Sequence, residues 1–233
     1  MYTSKGQVVE LLLKNETRFA RISCPANLIP SPGQYLLAGS ASYPDPLPVS
    51  LFSTESTPKS GKMTSQSHFI ACAPIPENWT PGAELYLRGP LGRGFSMPPS
   101  ARRIALVAFD DSPVRLQALM RNGLERGAAV VLVCETIEYH LPDEVEIQPL
   151  SALRDVVAWA DYTAFDVVRE NLPRLKEMLG EQNQVLAENE SQVLIQTSMP
   201  CGGIAECGVC AVTLKSKWKL ACKDGPVFDW REL

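Results

Sequence analysis

The amino-acid sequence predicts a β + α/β protein made of three successive parts. These are an N-terminal antiparallel β-barrel over residues 1–98, a Rossmann-like α/β domain over residues 99–198, and a C-terminal cysteine-rich lobe over residues 199–233. Three observations predict this order. Short β-compatible segments, separated by proline and glycine, fill the first part. Continuous apolar segments alternate with amphipathic ones in the second part. Four of the seven cysteines lie in the third part.

The first part contains six segments that are compatible with strands and are separated by turn residues. Short strands at this spacing are typical of a small antiparallel barrel. The polar segment Thr54–Ser67 is expected to form an exposed hairpin loop. The strand segments are Gln7–Leu13, Thr17–Ile22, Ser31–Leu37 (a turn leading into a strand), Pro48–Ser53, His68–Ala73 and Glu84–Arg88.

The second part begins with two continuous apolar segments, Arg103–Phe109 and Ala128–Cys134, as in strands buried on both faces of a sheet. The segment Ser112–Arg126 between them has apolar residues spaced for one face of a helix, so the three predict a parallel strand–helix–strand unit. Further strands are predicted at Val145–Leu150 and Gln192–Thr197, and further helices at Ser151–Ala160 and Arg169–Leu179.

Composition excludes several classes of function. The 233 residues are 45% hydrophobic and 21% charged, and no apolar run approaches the roughly 18 residues of a membrane-spanning helix. The net charge of −4 comes without a basic tract, which argues against nucleic acid as a partner. Two histidines leave little material for a histidine metal site. The N-terminal segment lacks the apolar core of a secretory signal, so we expect a cytoplasmic protein.

The cysteine-rich lobe carries the strongest functional pattern. Its cysteines, Cys201, Cys207, Cys210 and Cys222, have the spacing C-x5-C-x2-C-x11-C. The plant-type [2Fe–2S] pattern is C-x4-C-x2-C with a distant fourth cysteine, so the sequence predicts these four thiolates as cluster ligands. A structural zinc site and disulfides are the alternatives. Zinc sites usually have two C-x2-C pairs, however, and this lobe has one.

Three segments of the lobe form a more specific pattern: Met199–Gly202, Cys207–Cys210 and Cys222–Phe228. Together with the turn Gly89–Phe95, they resemble the electron-transfer subunit of class 1B dihydroorotate dehydrogenase, a member of the ferredoxin–NADP reductase superfamily. The resemblance implies that electrons pass from NADH to FAD, to a [2Fe–2S] cluster, and on to the flavin of a separate catalytic subunit. It therefore also implies a hetero-oligomer with a flavoprotein partner.

The residues that would bind FAD differ from those of the family. The family has an Arg-Pro-x-Ser motif whose arginine neutralises the FAD pyrophosphate. This chain has Leu47-Pro48-Val49-Ser50, and the leucine offers no charged donor. A Gly-Thr helix start that holds the pyrophosphate is replaced by the proline-rich segment 73–82. The sequence therefore leaves FAD binding open, with Pro48, Val49 and Ser50 as the candidate contacts.

The residues that would bind NAD(P)H differ as well. The family has a glycine-rich turn after the first α/β strand, whereas Phe109–Pro113 has two carboxylates and no glycine, which disfavours a pyrophosphate. Asp110 or Ser112 is instead expected to cap the following helix, with Pro113 in its first turn. The Cys-Gly-Pro motif that lies near the nicotinamide in the family is replaced by Thr163–Val168. We therefore predict that NAD(P)H does not bind productively.

These observations predict an electron-transfer subunit that relays electrons through a [2Fe–2S] cluster to or from a partner flavoprotein, such as a dihydroorotate dehydrogenase catalytic subunit. One alternative is an FAD- and NADH-dependent reductase whose sites use other residues. Another is a non-redox scaffold subunit with a zinc site. The flavin–iron–sulfur subunit of a hydrogenase or bifurcating transhydrogenase shares the fold. It usually has aspartate at the first ligand position, however, where this chain has Cys201.

Overall fold

The structure is a computed structural model that describes residues 2–14, 17–41, 47–55, 67–72, 74–110, 112–135, 141–215 and 217–233. Within these ranges, six strands close into an antiparallel barrel in the order β1-β2-β5-β4-β3-β6. They are β1 (Tyr2–Lys14), β2 (Thr17–Cys24), β3 (Tyr35–Ser40), β4 (Val49–Ser53), β5 (Ser67–Cys72) and β6 (Glu84–Leu91). Most of the predicted hairpin loop, residues 56–66, lies outside the described residues.

Strand β3 is buried on both of its sides. Leu36 and Ala38 belong to the apolar core inside the barrel. The alternate residues, Tyr35 and Leu37, point to the opposite side of the strand and are nevertheless buried. Another part of the chain must therefore cover the outside of the barrel at this strand.

The remainder of the chain builds a second sheet and a small hairpin. Its elements are β7 (Arg103–Ala108), α1 (Gln117–Glu125), β8 (Ala129–Val133), β9 (Val145–Gln148), α2 (Leu153–Trp159), β10 (Tyr162–Val168), α3 (Leu172–Leu179), α4 (Gln182–Glu188), β11 (Glu190–Gln196), β12 (Ala211–Thr213), β13 (Trp218–Leu220), α5 (Ala221–Asp224) and β14 (Val227–Asp229). As far as the chain is described, no helix is long and apolar enough to cross a membrane.

The second sheet has the strand order β14-β11-β10-β7-β8-β9. Five of the strands described here run parallel, and β14 pairs antiparallel with β11 at one edge. Apolar residues of α1 pack on one face of the sheet, and those of α2, α3 and α4 pack on the other. Burial on both faces explains why these strands read as continuous apolar segments in the sequence. The predicted succession of barrel, α/β sheet and cysteine-rich lobe is confirmed.

In the α/β part, the start of the first helical segment follows the sequence prediction and the central strand departs from it. The Ser112 side chain accepts a hydrogen bond from the Val114 N–H at 3.4 Å and caps a 3₁₀ turn that starts at Pro113 and leads into α1, as expected. The sequence pattern predicts no strand at Thr163–Val168, but this segment lies in β10 at the centre of the sheet. Buried Thr163 and Asp166 interrupt its apolar character, and this concealed the strand.

The cysteine-rich lobe is attached both to the barrel and to the sheet. The turn after β6 meets it where the Arg93 N–H donates to the Gly225 carbonyl at 2.5 Å. Gly92, at φ 72°, lies so close that a Cβ would be 2.5 Å from the same carbonyl oxygen. On the other side, Val227 of β14 pairs with Leu194 of β11. The lobe is therefore fixed between the two larger parts of the molecule.

Candidate metal centre and the adjoining cleft

The loop from Cys201 to Cys210 turns sharply because four of its residues have positive φ angles. They are Gly202 (60°), Gly203 (70°), Ala205 (67°) and Gly208 (72°). Glycine adopts this conformation without steric cost, whereas alanine is strained there. Residues in such turns direct successive N–H groups into one concave site, as is seen around anions and iron–sulfur clusters. The loop is therefore a nest of backbone donors that starts at the first cysteine.

The structure brings the four cysteines together as two pairs. The Cys207 side chain lowers the pKa of the Cys201 thiol, and the Cys210 side chain raises the pKa of the Cys222 thiol, so Cys207 and Cys210 are their respective neighbours. The Ala205 N–H lowers the pKa values of both Cys201 and Cys222, so it lies beside one thiol of each pair. Cys210 and Cys222 are buried and form the inner pair. Cys201 is half-buried and Cys207 is exposed, and these form the outer pair.

A hairpin explains the long spacing between the third and fourth cysteines. Strands β12 and β13 pair antiparallel, with Ala211 opposite Leu220. Cys210 immediately precedes the first strand, and Cys222 follows the second after one residue. The Ala221 N–H donates to the Cys210 carbonyl at 3.0 Å and closes the base of the hairpin. Residues distant in sequence thereby become neighbours.

The thiols have opposite electrostatic environments. Burial acts to raise the pKa of Cys201, but hydrogen bonds from the Cys207 side chain and from backbone N–H groups, including that of Ala205, lower it to about 6. Burial, the hydrogen bond with Cys210 and nearby thiolate charge raise the pKa of Cys222 to about 12. A metal cation binds thiolates, so metal binding at this site would release the protons of these thiols.

The pairing of the cysteines bears on which metal group fits. A [2Fe–2S] cluster divides its four thiolates between two irons. A structural zinc ion instead needs four donors around one point. In the described part of the chain, no group of three or more His, Cys, Asp and Glu side chains is arranged to hold a metal ion. The two pairs and the N–H groups beside them therefore fit a binuclear cluster with negatively charged sulfur better than a single zinc ion.

The three candidate flavin contacts, Pro48, Val49 and Ser50, line a cleft of about 530 Å³ between β4 and the carboxyl end of β11. Arg115 and Arg169 also line it. Both guanidinium groups bind protein partners, a buried carboxylate for the first and backbone carbonyls for the second. The cleft thus has room and apolar surface for a ring system. The arginine that family members place on the pyrophosphate is a leucine in this chain.

The carboxyl ends of β7 and β10 are filled by a network of polar groups from the chain itself. Asp166 accepts hydrogen bonds from Arg115 Nε at 2.8 Å and from Gln196 Nε2 at 2.6 Å. Asp110, after β7, accepts from the Val168 N–H at 2.5 Å. Burial raises the pKa of Asp166, and the Arg115 charge opposes that shift. Internal hydrogen bonds thus occupy the place that the resemblance assigns to the nicotinamide nucleotide.

Sequence reasoning missed residues that support the candidate ligands. Arg169 donates from Nη1 to the carbonyls of Val209 and Ala211, at 2.7 and 3.1 Å, and so holds the chain on both sides of Cys210. No local pattern reveals this contact, because the arginine and Val209 are 40 residues apart. Ala205 was missed because only the fold shows that an alanine takes a positive φ.

A family model covers the lobe. Residues 196–233 match the iron–sulfur cluster binding domain of dihydroorotate dehydrogenase B. The matched segment includes all four cysteines of the two pairs. This match confirms the predicted resemblance over the lobe and supports an iron–sulfur cluster as the cofactor.

Solved structures share the fold over most of the chain. The NADH-dependent reduced ferredoxin–NADP oxidoreductase, studied for flavin-based electron bifurcation, is 15% identical with a TM-score of 0.66, over 97% of this chain and 88% of that one. The ferredoxin reductase of carbazole 1,9a-dioxygenase is 16% identical with a TM-score of 0.58, over 76% and 65% of the two chains. A mutant ferredoxin–NADP⁺ reductase from Plasmodium falciparum, with 2′P-AMP, is 8% identical with a TM-score of 0.58, over 83% and 96%. At these identities the likeness shows the fold alone, and it confirms the predicted fold class.

Proposed function

We propose that this chain, a divergent relative of the electron-transfer subunit of dihydroorotate dehydrogenase B, carries single electrons through a [2Fe–2S] cluster. Its ligands would be Cys201, Cys207, Cys210 and Cys222. The observation that carries the proposal is the arrangement of these thiols as two neighbouring pairs within a segment that matches a cluster-binding family. When bound, such a cluster supplies one-electron chemistry.

The residues of the lobe have distinct tasks in this proposal. The backbone N–H groups of the loop donate to thiolate sulfur, which stabilises the negative charge that reduction adds. Burial of Cys210 and Cys222 excludes water from the inner pair. The outer pair, at Cys201 and Cys207, lies at the surface and gives electrons a short route to a partner.

We infer that the partner is a flavoprotein catalytic subunit and that the two form a hetero-oligomer. The family of the lobe supports this inference, as do three large apolar side chains that the lobe exposes. Ile204 is 57% exposed, Val209 44% and Trp218 67%. Apolar and aromatic side chains of this kind are enriched where one protein docks on another.

A reducing compartment such as the cytoplasm suits this function. None of the seven cysteines is paired in a disulfide. Thiols are kept reduced in the cytosol, whereas they tend to form disulfides in oxidising compartments.

An FAD-dependent reductase is the second candidate, and the cleft beside Pro48, Val49 and Ser50 is the observation that favours it. The polar network around Asp166 argues against it, because a hydride-transferring enzyme must hold nicotinamide and flavin in contact. The two candidates differ in what reduces the cluster. The relay is reduced by a partner or a chemical reductant, whereas the reductase is also reduced by NADH.

The first test is the metal content of the full chain after anaerobic purification. We expect about two irons and two sulfides per chain, with broad iron–sulfur absorption. Cys201→Ser and Cys222→Ser are expected to lose most of the iron. Cys134→Ser, which alters a buried thiol in the core of the sheet, serves as the control and is expected to retain it. Zinc in place of iron in the wild-type chain would contradict the proposal.

The second test separates the relay from the reductase. Flavin is quantified after acid release, and the absorption of the cluster is followed after addition of dithionite or NADH. The relay predicts bleaching with dithionite and no bleaching with NADH, even when FAD is added. Bound FAD together with NADH-driven bleaching would establish the reductase instead.

A further inference from the structure

Two side chains of the barrel reach the lobe from neighbouring strands. The Tyr35 hydroxyl, in β3, donates a hydrogen bond to the backbone carbonyl of Cys222 at 2.9 Å. The Arg88 guanidinium, in β6, donates from Nη2 to the backbone carbonyl of Gly202. Strands β3 and β6 pair antiparallel with Leu37 opposite Arg88, so Tyr35 and Arg88 project from the same side of the sheet. This contact is what covers the outside of β3.

The loop and the barrel fit closely at this contact. A Cβ on Gly203 would lie 2.9 Å from the Tyr35 hydroxyl and 3.5 Å from Arg88 Nη2. A Cβ on Gly202 would lie 3.1 Å from Pro48 Cγ. Both glycines therefore provide the close approach as well as the turn.

The two backbone carbonyls that accept these hydrogen bonds lie beside different pairs of thiols. Cys222 is a member of the inner pair, and Gly202 directly follows Cys201 of the outer pair. The barrel therefore forms hydrogen bonds to the backbone beside both the inner and the outer pair of thiols. Among the described residues, no carboxylate lies within ion-pair distance of Arg88, so its positive charge is not neutralised there.

We propose that Tyr35 and Arg88 are positioning residues that hold the two pairs of thiolates together and set the reduction potential of the cluster. The inference rests on the proposed function, since it needs a [2Fe–2S] cluster in the lobe. Reduction by a partner flavoprotein adds one electron and no proton, so the cluster gains one negative charge and the flavin loses one electron. The positive charge of Arg88 and the positive end of the Tyr35 O–H dipole each lie on a backbone carbonyl of the lobe. Both stabilise the reduced form electrostatically, so both residues raise the potential.

The test measures the midpoint potential of the full chain by EPR in the wild type and in four variants. Tyr35→Phe removes only the hydroxyl and is expected to lower the potential. Arg88→Met keeps the apolar stem but removes the charge, and is expected to lower the potential further. Arg88→Lys restores the charge and is expected to return the potential toward the wild-type value. Tyr2→Phe, at an exposed tyrosine in β1, is the matched control and is expected to change nothing.

Iron content and circular dichroism of each variant accompany the potentials. A wild-type chain without iron overturns both the proposed function and this inference. A wild-type chain that has the cluster, with the same potential in Tyr35→Phe and Arg88→Met, overturns the inference alone. If Arg88→Met does not fold, Tyr35→Phe and Arg88→Lys decide, because the first is nearly isosteric and the second keeps the charge.

Discussion

Ala205 is the residue at which backbone strain and the proposed chemistry coincide. It is the one non-glycine residue in the described ranges with a positive φ, at 67°. Its N–H lowers the pKa values of both Cys201 and Cys222, one thiol from each pair. Strain of this kind persists where the surrounding structure imposes it, and it is concentrated at functional sites. The conformation of Ala205 is therefore part of the site and not an irregularity of the loop.

Substitution of Ala205 tests that role. Ala205→Val is expected to lower the free energy of unfolding by about 1–2 kcal/mol, because a β-branched side chain clashes with the backbone at positive φ. It is also expected to release iron faster to a chelator. Ala205→Gly adopts the same φ freely and is expected to stay within about 1 kcal/mol of wild type. Urea unfolding and the rate of bleaching measure both effects. Equal behaviour of the two variants would contradict this account.

At the scale of elements, the β12–β13 hairpin positions the inner pair, and the α/β sheet positions the hairpin. Arg169 follows β10 and binds the carbonyls on either side of Cys210. Its ion pair with Glu170 is solvent-exposed and contributes little. The hydrogen bonds to the backbone around Cys210 are therefore the main stabilising contribution of the Arg169 side chain.

Arg169→Met is expected to weaken the hold on Cys210 without unfolding the sheet. Removal of a group that orients a metal ligand typically lowers the metal affinity by about tenfold or more. We expect a rise of about tenfold in the rate at which a chelator removes iron. Arg154→Met is the matched control, because Arg154 also binds a backbone carbonyl, that of Met178 at 2.6 Å, away from the lobe. A similar rise in both variants would show a general loss of stability instead.

The elements themselves follow largely from local pattern. Continuous apolar segments predicted β7 and β8, and Ser112 followed by Pro113 predicted the start of the helical segment. The strand β10 could not be predicted in the same way, because it contains the buried carboxylate of Asp166. An ion pair and hydrogen bonds with residues distant in sequence stabilise that carboxylate. Only a fold that brings Arg115 and Gln196 to this strand makes the carboxylate acceptable there.

At the scale of the whole molecule, the sequence predicted the four candidate cysteine ligands but not the residues of the barrel that form hydrogen bonds to the lobe. Spacing alone identified the cysteines, since ligand spacing is a local property of the chain. The hydrogen bond from Tyr35 to Cys222 spans 187 residues, and that from Arg88 to Gly202 spans 114. Neither the tyrosine nor the arginine has a local pattern that relates it to the lobe. The site is thus assembled from all three parts of the molecule, although its candidate ligands come from one.

Contacts between the lobe and the α/β sheet predict that the lobe contributes to the stability of the sheet. Strand β14 pairs with β11, and the ring of Trp230 packs on Phe165 of β10 with centroids 4.6 Å apart. Trp230 is buried, whereas Trp218 in β13 is 67% exposed. Two tryptophans of the same lobe therefore have opposite environments and provide a matched pair of substitutions.

Trp230→Ala is expected to lower the free energy of unfolding by about 3–5 kcal/mol, because it leaves a cavity against the central strand. Trp218→Ala is expected to change it by less than about 0.5 kcal/mol, because the side chain makes little packing contact. Urea unfolding followed by circular dichroism at 222 nm compares the two without relying on tryptophan fluorescence. If the lobe were an independent appendage, Trp230→Ala would release the lobe and leave the unfolding of the sheet unchanged. The large loss expected here instead requires the lobe and the sheet to unfold as one unit.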